Sequence, residues 1–282
     1  MIGFGFVEWY LVVVIQELTF DVYPVEFRRK DASKEPGNAV EFARRRLEFE
    51  PDELQAQILL SNSKRGILNC SRQWGKSTVA AAKAVHRAWT RPGCLVLVAS
   101  PSGRQSKLFV RTAAGMARKL GIKRKNDGDN PISMLFPNGS RIVGVPGNAE
   151  TVRGFSGVSM VLVDEAARVK DEMFVALEPM LAVGEGDMWL MSTPKGRSGF
   201  FYEAWEYGGS EWYRVTARAT ECERIGQVWL EGQRGRMDAG MFRQEFMGEF
   251  VNDGTEVFVR EVVEAALDEF EMGLKVRLRF VR

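Results

Sequence analysis

The segment LNCSRQWGKSTVAAAK, residues 68–83, carries Gly75, Lys76 and Ser77 in the order of a phosphate-binding loop, G-x-x-x-x-G-K-[ST]. Cys70 stands where the first glycine belongs, and Arg72 lies inside the loop. The chemistry is that of a polyanion site. Gly75 lets the backbone approach closely where a Cβ would obstruct. Amides at a helix N-terminus, helped by the helix dipole, hold phosphate oxygens. Lys76 is a point charge for the β- and γ-phosphates, and the Ser77 hydroxyl is an Mg²⁺ ligand. Ser71, Arg72, Gln73, Trp74 and Thr78 complete the candidate nucleotide contacts on this stretch. Cys70 is tolerable if its position needs no positive φ. A chance G-K-S-T at a helix start is the competing reading.

MVLVDEA (160–166) adds a Walker B pattern, four apolar residues followed by Asp164 and Glu165. A buried strand ending in an acid delivers a carboxylate to the sheet edge where nucleotides sit. Asp164 would hold Mg²⁺, mostly through water, and Glu165 would polarise the attacking water as general base. Such a run is common by itself. Its order after the loop, with one β-α unit and a hairpin between, makes the pair point to an ATPase. Glutamate directly after the aspartate fits ATPases with an extra strand between the two motifs, and CLVLVAS (94–100) is expected to supply it. Further on, LMSTPKG sets Ser192 and Thr193 where a hydroxyl could sense the γ-phosphate; an ordinary strand exit is the alternative. Upstream, Gln55 in EPDELQAQILLS could pair its amide with N6 and N7 of adenine, or simply face solvent. Two arginines could stabilise charge on a transferring γ-phosphate: Arg72, in the same chain, or Arg153 in ETVRGFSG, on a turn opened by Gly154 and Gly157. The competing role for Arg153 is a structural salt bridge.

The elements that must position these residues follow from patterning. RGILNC reads as a strand feeding the loop, and GKSTVAAAKAVHRAW as an alanine-rich helix leaving it, with His86 a surface or packing residue on that helix. CLVLVAS, MVLVDEA and DMWLMSTP are near-continuous apolar runs, as in strands buried on both faces of a parallel sheet. ISMLFPNGSRIVGVPG predicts a hairpin about PNGS. Helices are expected in the charged stretch that leaves the polar loop RKDASKEPGN and stops near Pro51, over DELQAQILLS, after CLVLVAS to about Leu120, and over DEMFVALEPML, GFFYEAWEYG and DAGMFRQEFMGEF; WYRVTAR reads as a strand. The expected fold is α/β, a P-loop ATPase of the ASCE, RecA-like kind, with a mostly parallel central sheet flanked by helices.

Composition sets bounds. The 282 residues are 45% hydrophobic, enough for a full core, and 39 Lys+Arg against 37 Asp+Glu leave a net charge of +2 that says little about partners. EFRRK (26–30), ARRRL (43–47) and RQSKLFVR (104–111) are local basic clusters, each read first as a solvated helix face. Three cysteines without C-x-x-C spacing argue against a disulfide framework or zinc site and suit a reducing cytosol. The apolar start, MIGFGFVEWYLVVVIQELTF, is too short and too interrupted by Glu8 for a membrane span and reads as a strand.

With these motifs, the chain resembles the ATPase domain of the large terminase subunit of tailed bacteriophages, over about residues 45–260. SRQWGKS is similar to that family's variant loop, which often lacks the first glycine and carries an arginine. PDELQ resembles its adenine-contacting segment, with Gln55 at the matching position. VLVASPSGRQSKLFVR resembles its second strand and helix, and NGSRIVGVPGNAETVRGFSG its hairpin and arginine segment. VLVDEA and LMSTPKGRSGFFYEAW resemble its Walker B and coupling motifs, and MFRQEFMGEFVNDGTEVF its domain end. The resemblance implies ATP hydrolysis with Mg²⁺ driving double-stranded DNA into a procapsid. It implies a ring on the portal protein with DNA delivered by a small terminase subunit, in the host cytoplasm and not in the mature virion. It favours Arg153 as a finger acting in trans and leaves Arg72 a positioning or sensing role. Expected divisions are an unplaced extension (1–44), the ATPase domain (45–250) and a linker (251–282). The nuclease domain that normally follows is not expected here, nor DNA cutting. Rival readings are a helicase-like translocase, which would need a second RecA-type domain, and a non-catalytic, nucleotide-gated DNA-binding protein.

Overall fold

A computed structural model describes residues 37–123 and 132–252. The expected N-terminal strand, the basic cluster at 26–30 and most of the expected linker lie outside the described residues. The larger compact unit begins at Pro36. Its first described helix, α1 (Ala39–Leu47), packs on α2 (Glu53–Leu60), α3 (Lys76–Thr90) and α4 (Gly103–Lys119).

Seven strands form the sheet: β1 (Arg65–Cys70), β2 (Leu95–Ser100), β3 (Ser133–Leu135), β4 (Arg141–Pro146), β5 (Met160–Asp164), β6 (Asp187–Ser192) and β7 (Trp212–Ala217). Their order is β3-β4-β2-β5-β6-β1-β7, and every pairing is parallel except the expected hairpin, β3 with β4. The apolar runs are buried on both faces with the period of two that a pleated strand dictates. Val96, Val98, Leu162 and Trp189 enter one core, while Leu97, Ala99, Val163 and Leu190 enter the other. Helices α1 to α4 supply the first core, and α5 (Asp171–Leu177) and α6 (Gly199–Glu206) the second. The result is the three-layer α/β architecture read from the sequence.

One placement differs. CLVLVAS, which is β2, lies outside the β1–β5 pair; the strand between the two motifs is β6, hydrogen-bonded to β1 on one side and β5 on the other. All three runs are equally apolar, so composition alone could not order them. The helical pattern near the end of the described residues also differs from the expectation. The late helix is a short α8 (Ala239–Phe242) running into a π-turn, Arg243–Met247, that stops at Gly248 with φ 71°. A further helix, α7 (Gln227–Arg234), precedes it.

Lys83, buried inside α3, ties that helix to α2. Its ammonium donates to the carbonyls of Ile58 (2.9 Å) and Ser61 (2.9 Å) and lies 4.4 Å from the Trp189 ring centroid. Burial still pulls its pKa down to about 8. His86 takes the packing role, edge-on to Phe42 at 5.1 Å between ring centroids. Burial first, then the nearby Lys83, Arg87 and Arg91, hold its pKa down at about 4. The unfolded imidazole titrates near 6.5, so the folded chain resists a proton that the unfolded chain accepts. Its contribution is complete above about pH 6.5 and is lost as pH falls toward 4. We expect His86→Leu to flatten the decline of the melting temperature across that window relative to the parent chain, measured by thermal denaturation at several pH values.

Candidate active site

Each motif ends at the same edge of the sheet. β1 delivers the loop, and Cys70 occupies its last paired position opposite Ala217 in ordinary extended backbone. No left-handed residue is needed there, which is why the first glycine is dispensable. The positive φ angles come later, at Gln73 (63°) and Gly75 (103°). Gly75 caps α3 without a side-chain bond, and a Cβ there would stand 3.0 Å from the Gln55 amide. From Gln73 to Ser77, none of the five backbone N–H groups bonds to another described residue, whereas Arg72 N–H donates to Glu245 O (3.0 Å) and Thr78 N–H to Gly75 O (3.0 Å). Successive free amides at a helix N-terminus form an anion cradle.

Around it the predicted side chains converge. Lys76 Nζ lies 3.2 Å from Glu165 Oε1 and 3.4 Å from Thr193 Oγ1. The Ser77 hydroxyl donates to Asp164 Oδ1 at 3.1 Å. Burial, reinforced by repulsion from Glu165, raises the Asp164 pKa to about 6 against the opposing pull of Lys76 and Ser77. A hydroxyl and a carboxylate side by side are hard oxygen donors of the kind Mg²⁺ accepts together with phosphate oxygens. The residues present therefore fit the ion, and Ser77 and Asp164 would hold it. Glu165 itself sits at φ 53°, a left-handed position that a non-glycine residue adopts at some cost and that recurs at functional sites.

Gln55 does not face solvent. It is 2% exposed; its carbonyl accepts from Asp52 N–H (3.1 Å) and its amide donates to Trp74 O (3.3 Å). Here it braces the loop, and pairing with adenine would require it to give up those bonds. Trp74 is buried at 3%, and its carbonyl also accepts from Arg224 (2.6 Å), itself paired with Asp52 at 2.9 Å. Beside them opens a cavity of about 610 Å³ lined by Leu54, Gln57, Trp74, Ala217 and Arg224. Ser71 is fully buried, its hydroxyl without a partner. Gln73 is exposed and Thr78 half-buried on the first turn of α3.

The two arginines separate. Arg72 pairs with Glu245. Arg153 is exposed, forms no ion pair with a described acid, and lines a cavity of about 640 Å³ with Phe155, Asp171 and Val175. The structure does not bring it to the loop of its own chain. Two residues of the site had no motif to announce them. Arg168 bonds Glu165 Oε2 (3.2 Å) and Thr193 O (3.2 Å), and Glu245 receives both Arg72 and Arg168. Arg168 follows Glu165 by three positions, but Glu245 lies 173 positions from Arg72, beyond any spacing signal.

Residues 67–264 match the family described as terminase large subunit, T4likevirus-type, N-terminal. The chain belongs to this family. It is 26% identical over 254 residues to a terminase large subunit of Thermus virus P23-45, covering 75% of this chain and 51% of that protein. The chain thus spans about half the length of the curated relatives it matches. Its fold is similar to the large terminase ATPase domain of Thermus phage P74-26 (TM-score 0.66, 24% identity, 75% of this chain and 98% of that one). It is also similar to the large terminase of a thermophilic bacteriophage in complex with ADP (TM-score 0.62, 13% identity, 71% and 53% coverage). The terminase chain thus carries an α/β ATPase-type fold, with the expected loop and acid strand at one sheet edge.

The loop cysteine gives a direct test of this packing. Burial pushes the Cys70 thiol up to about 12, against a weaker opposing pull from Lys76, and the thiolate is the reactive form. Cys94 is only partly buried, whereas Cys70 and Cys222 are buried. We expect maleimide at neutral pH to modify Cys94 in the folded chain and to spare the other two until denaturant is added, as read by peptide mass mapping. Labelling of Cys70 at the rate of Cys94 would contradict the packing described for the end of β1.

Proposed function

We propose that this chain hydrolyses ATP with Mg²⁺ and couples the hydrolysis to translocation of double-stranded DNA into a viral procapsid. The observation that carries the reading is the convergence of Lys76, Ser77, Asp164, Glu165 and Thr193 on a cradle of five free amides. Family membership supports the same reading.

In this proposal Lys76 and the amides bind the phosphates, and Ser77 and Asp164 hold the metal. Glu165 accepts the proton of the attacking water as its oxygen bonds to the γ-phosphorus and the bond to the ADP oxygen breaks. Thr193, already in reach of Lys76, is placed to respond to the γ-phosphate. The cavity beside Trp74 and Arg224 offers room for the base. Neutralisation of phosphate charge by Lys and Arg, without base reading, would make DNA binding weak and steeply salt-dependent. The exposed Arg104, Lys107, Arg111 and Arg118 along α4 have the sign such contacts need. The partners that fit are double-stranded DNA, a portal protein, a small terminase subunit and further copies of this chain in a ring, with the chain in the host cytoplasm and transiently docked on the procapsid. Arg153, exposed and unpaired among the described residues, is suited to reach a neighbouring copy's nucleotide.

Steady-state ATPase assays with and without DNA and portal separate this reading from its rivals. A motor is expected to hydrolyse ATP and to respond to both. Turnover stimulated by nucleic acid yet indifferent to portal favours a helicase-like translocase, and no turnover with retained binding favours a nucleotide-gated binder. For the trans role, mixed rings of Lys76→Ala and Arg153→Ala subunits are expected to regain part of the hydrolysis that each variant lacks. Rings that form but recover nothing would return the finger role to Arg72.

A further inference from the structure

Arg72 and Arg168 meet on one carboxylate. Glu245, only 9% exposed, gives Oε2 to Arg72 and Oε1 to Arg168 Nη2 at 3.5 Å, while its backbone carbonyl accepts the Arg72 N–H at 3.0 Å. Arg168 Nη1 reaches Glu165 Oε2 at 3.2 Å, and Glu165 Oε1 reaches Lys76 Nζ at 3.2 Å. Charges alternate along the line Lys76, Glu165, Arg168, Glu245, Arg72. Each interior member touches two opposite charges, the arrangement in which partly buried charges are tolerated.

We propose that Glu245 is a positioning residue for ATP hydrolysis: it anchors Arg168 against the general base Glu165 and holds Arg72 until phosphate replaces it. The inference rests on the ATPase reading above. A polyphosphate is a richer partner for Lys76 than one carboxylate oxygen. When Lys76 turns to it, Glu165 Oε1 is released for a water while Oε2 stays on Arg168, so the carboxylate is freed at one oxygen and still oriented. Arg168 can do this only if it is itself fixed, and Glu245 and the Thr193 carbonyl are what fix it. Arg72 shares the same carboxylate, so its departure toward phosphate leaves Glu245 wholly to Arg168 and tightens the hold on Glu165.

The location supports a functional rather than a purely structural role. Glu245 lies in the middle of the π-turn Arg243–Met247, a distortion that recurs at functional sites. That turn is pinned without its carboxylate: Gln244 Oε1 accepts from Gly196 N–H (3.1 Å), Gly248 O accepts from Asn69 Nδ2 (2.7 Å), and Phe246 is buried. Loss of the Glu245 charge therefore leaves the turn docked and removes only the electrostatic link.

The test compares the parent chain with Glu245→Gln and Glu245→Asp, measuring kcat and KM for Mg-ATP, Kd for a fluorescent ATP analogue, and Tm. We expect Glu245→Gln to lower kcat about 10- to 100-fold, the range of a misplaced catalytic group, with Kd within about threefold of the parent and Tm nearly unchanged. Glu245→Asp, which keeps the charge, is expected to recover part of kcat. Arg168→Met added to Glu245→Gln should cost little more than the single change, because the two act through one contact. An unchanged kcat in Glu245→Gln overturns the proposal while leaving the ATPase reading intact. So does a fall in kcat that only follows a fall in Tm, or fully additive losses in the double variant. Absence of turnover in the parent chain, with or without DNA, would defeat the ATPase reading itself.

Discussion

The ammonium of Lys76 stands 3.2 Å from Glu165 and 3.4 Å from Thr193, and these three residues come from three different strand exits. That cluster constrains everything else. A buried lysine, a buried aspartate and the half-buried glutamate beside it can share one edge only if each charge has a partner, since an unpaired charge in that setting would be strongly destabilising. Placing β6 between β1 and β5 satisfies the requirement: Thr193 leaves β6 midway between the loop and the acid strand. The residual imbalance falls on Asp164: burial, with repulsion from Glu165, pushes its carboxyl up to about 6 despite the opposing pull of Lys76 and the Ser77 hydroxyl.

Part of the backbone strain lies at the same place, although Glu48 and Glu185, elsewhere in the fold, also have positive φ. Gln73, Gly75 and Glu165 all have positive φ, and the first two turn the loop so that its amides face outward unpaired. Bracing comes from beneath and behind. Gln55 and Arg224 hold the Trp74 carbonyl, and Arg72 N–H is held by Glu245. The loop is thus fixed by contacts from α2, from the segment after β7 and from the π-turn, which leaves its phosphate-facing side open. Such preorganisation of donors is what makes an anion site effective without reorganisation on binding.

The sheet, its hairpin and the loop-to-helix transition were legible because each rests on local chemistry: runs of apolar residues buried on both faces, PNGS at a turn, and a glycine at the one loop position with φ above 100°. Lys76, Ser77, Asp164 and Glu165 were legible because spacing ties them to strand ends. Strand order was not, since β2, β5 and β6 carry the same composition and only the packed layers decide which lies between the motifs. The burial of Gln55 was not legible, because its bond to Trp74 spans 19 residues and depends on how α2 docks. Arg168 and Glu245 left no trace in the pattern. A charged residue on a helix reads as solvated until a distant arginine is brought beside it.

The central claim is that Glu165 is the base and Lys76 the phosphate cation of one hydrolytic site. Single-turnover hydrolysis and equilibrium binding of Mg-ATP by Glu165→Gln test it most directly. The amide keeps the shape of the side chain but cannot accept the proton. The account predicts nucleotide affinity within a few-fold of the parent chain and a rate lowered by about 10²- to 10⁴-fold, the usual contribution of a positioned base. Turnover at the parent rate would contradict it.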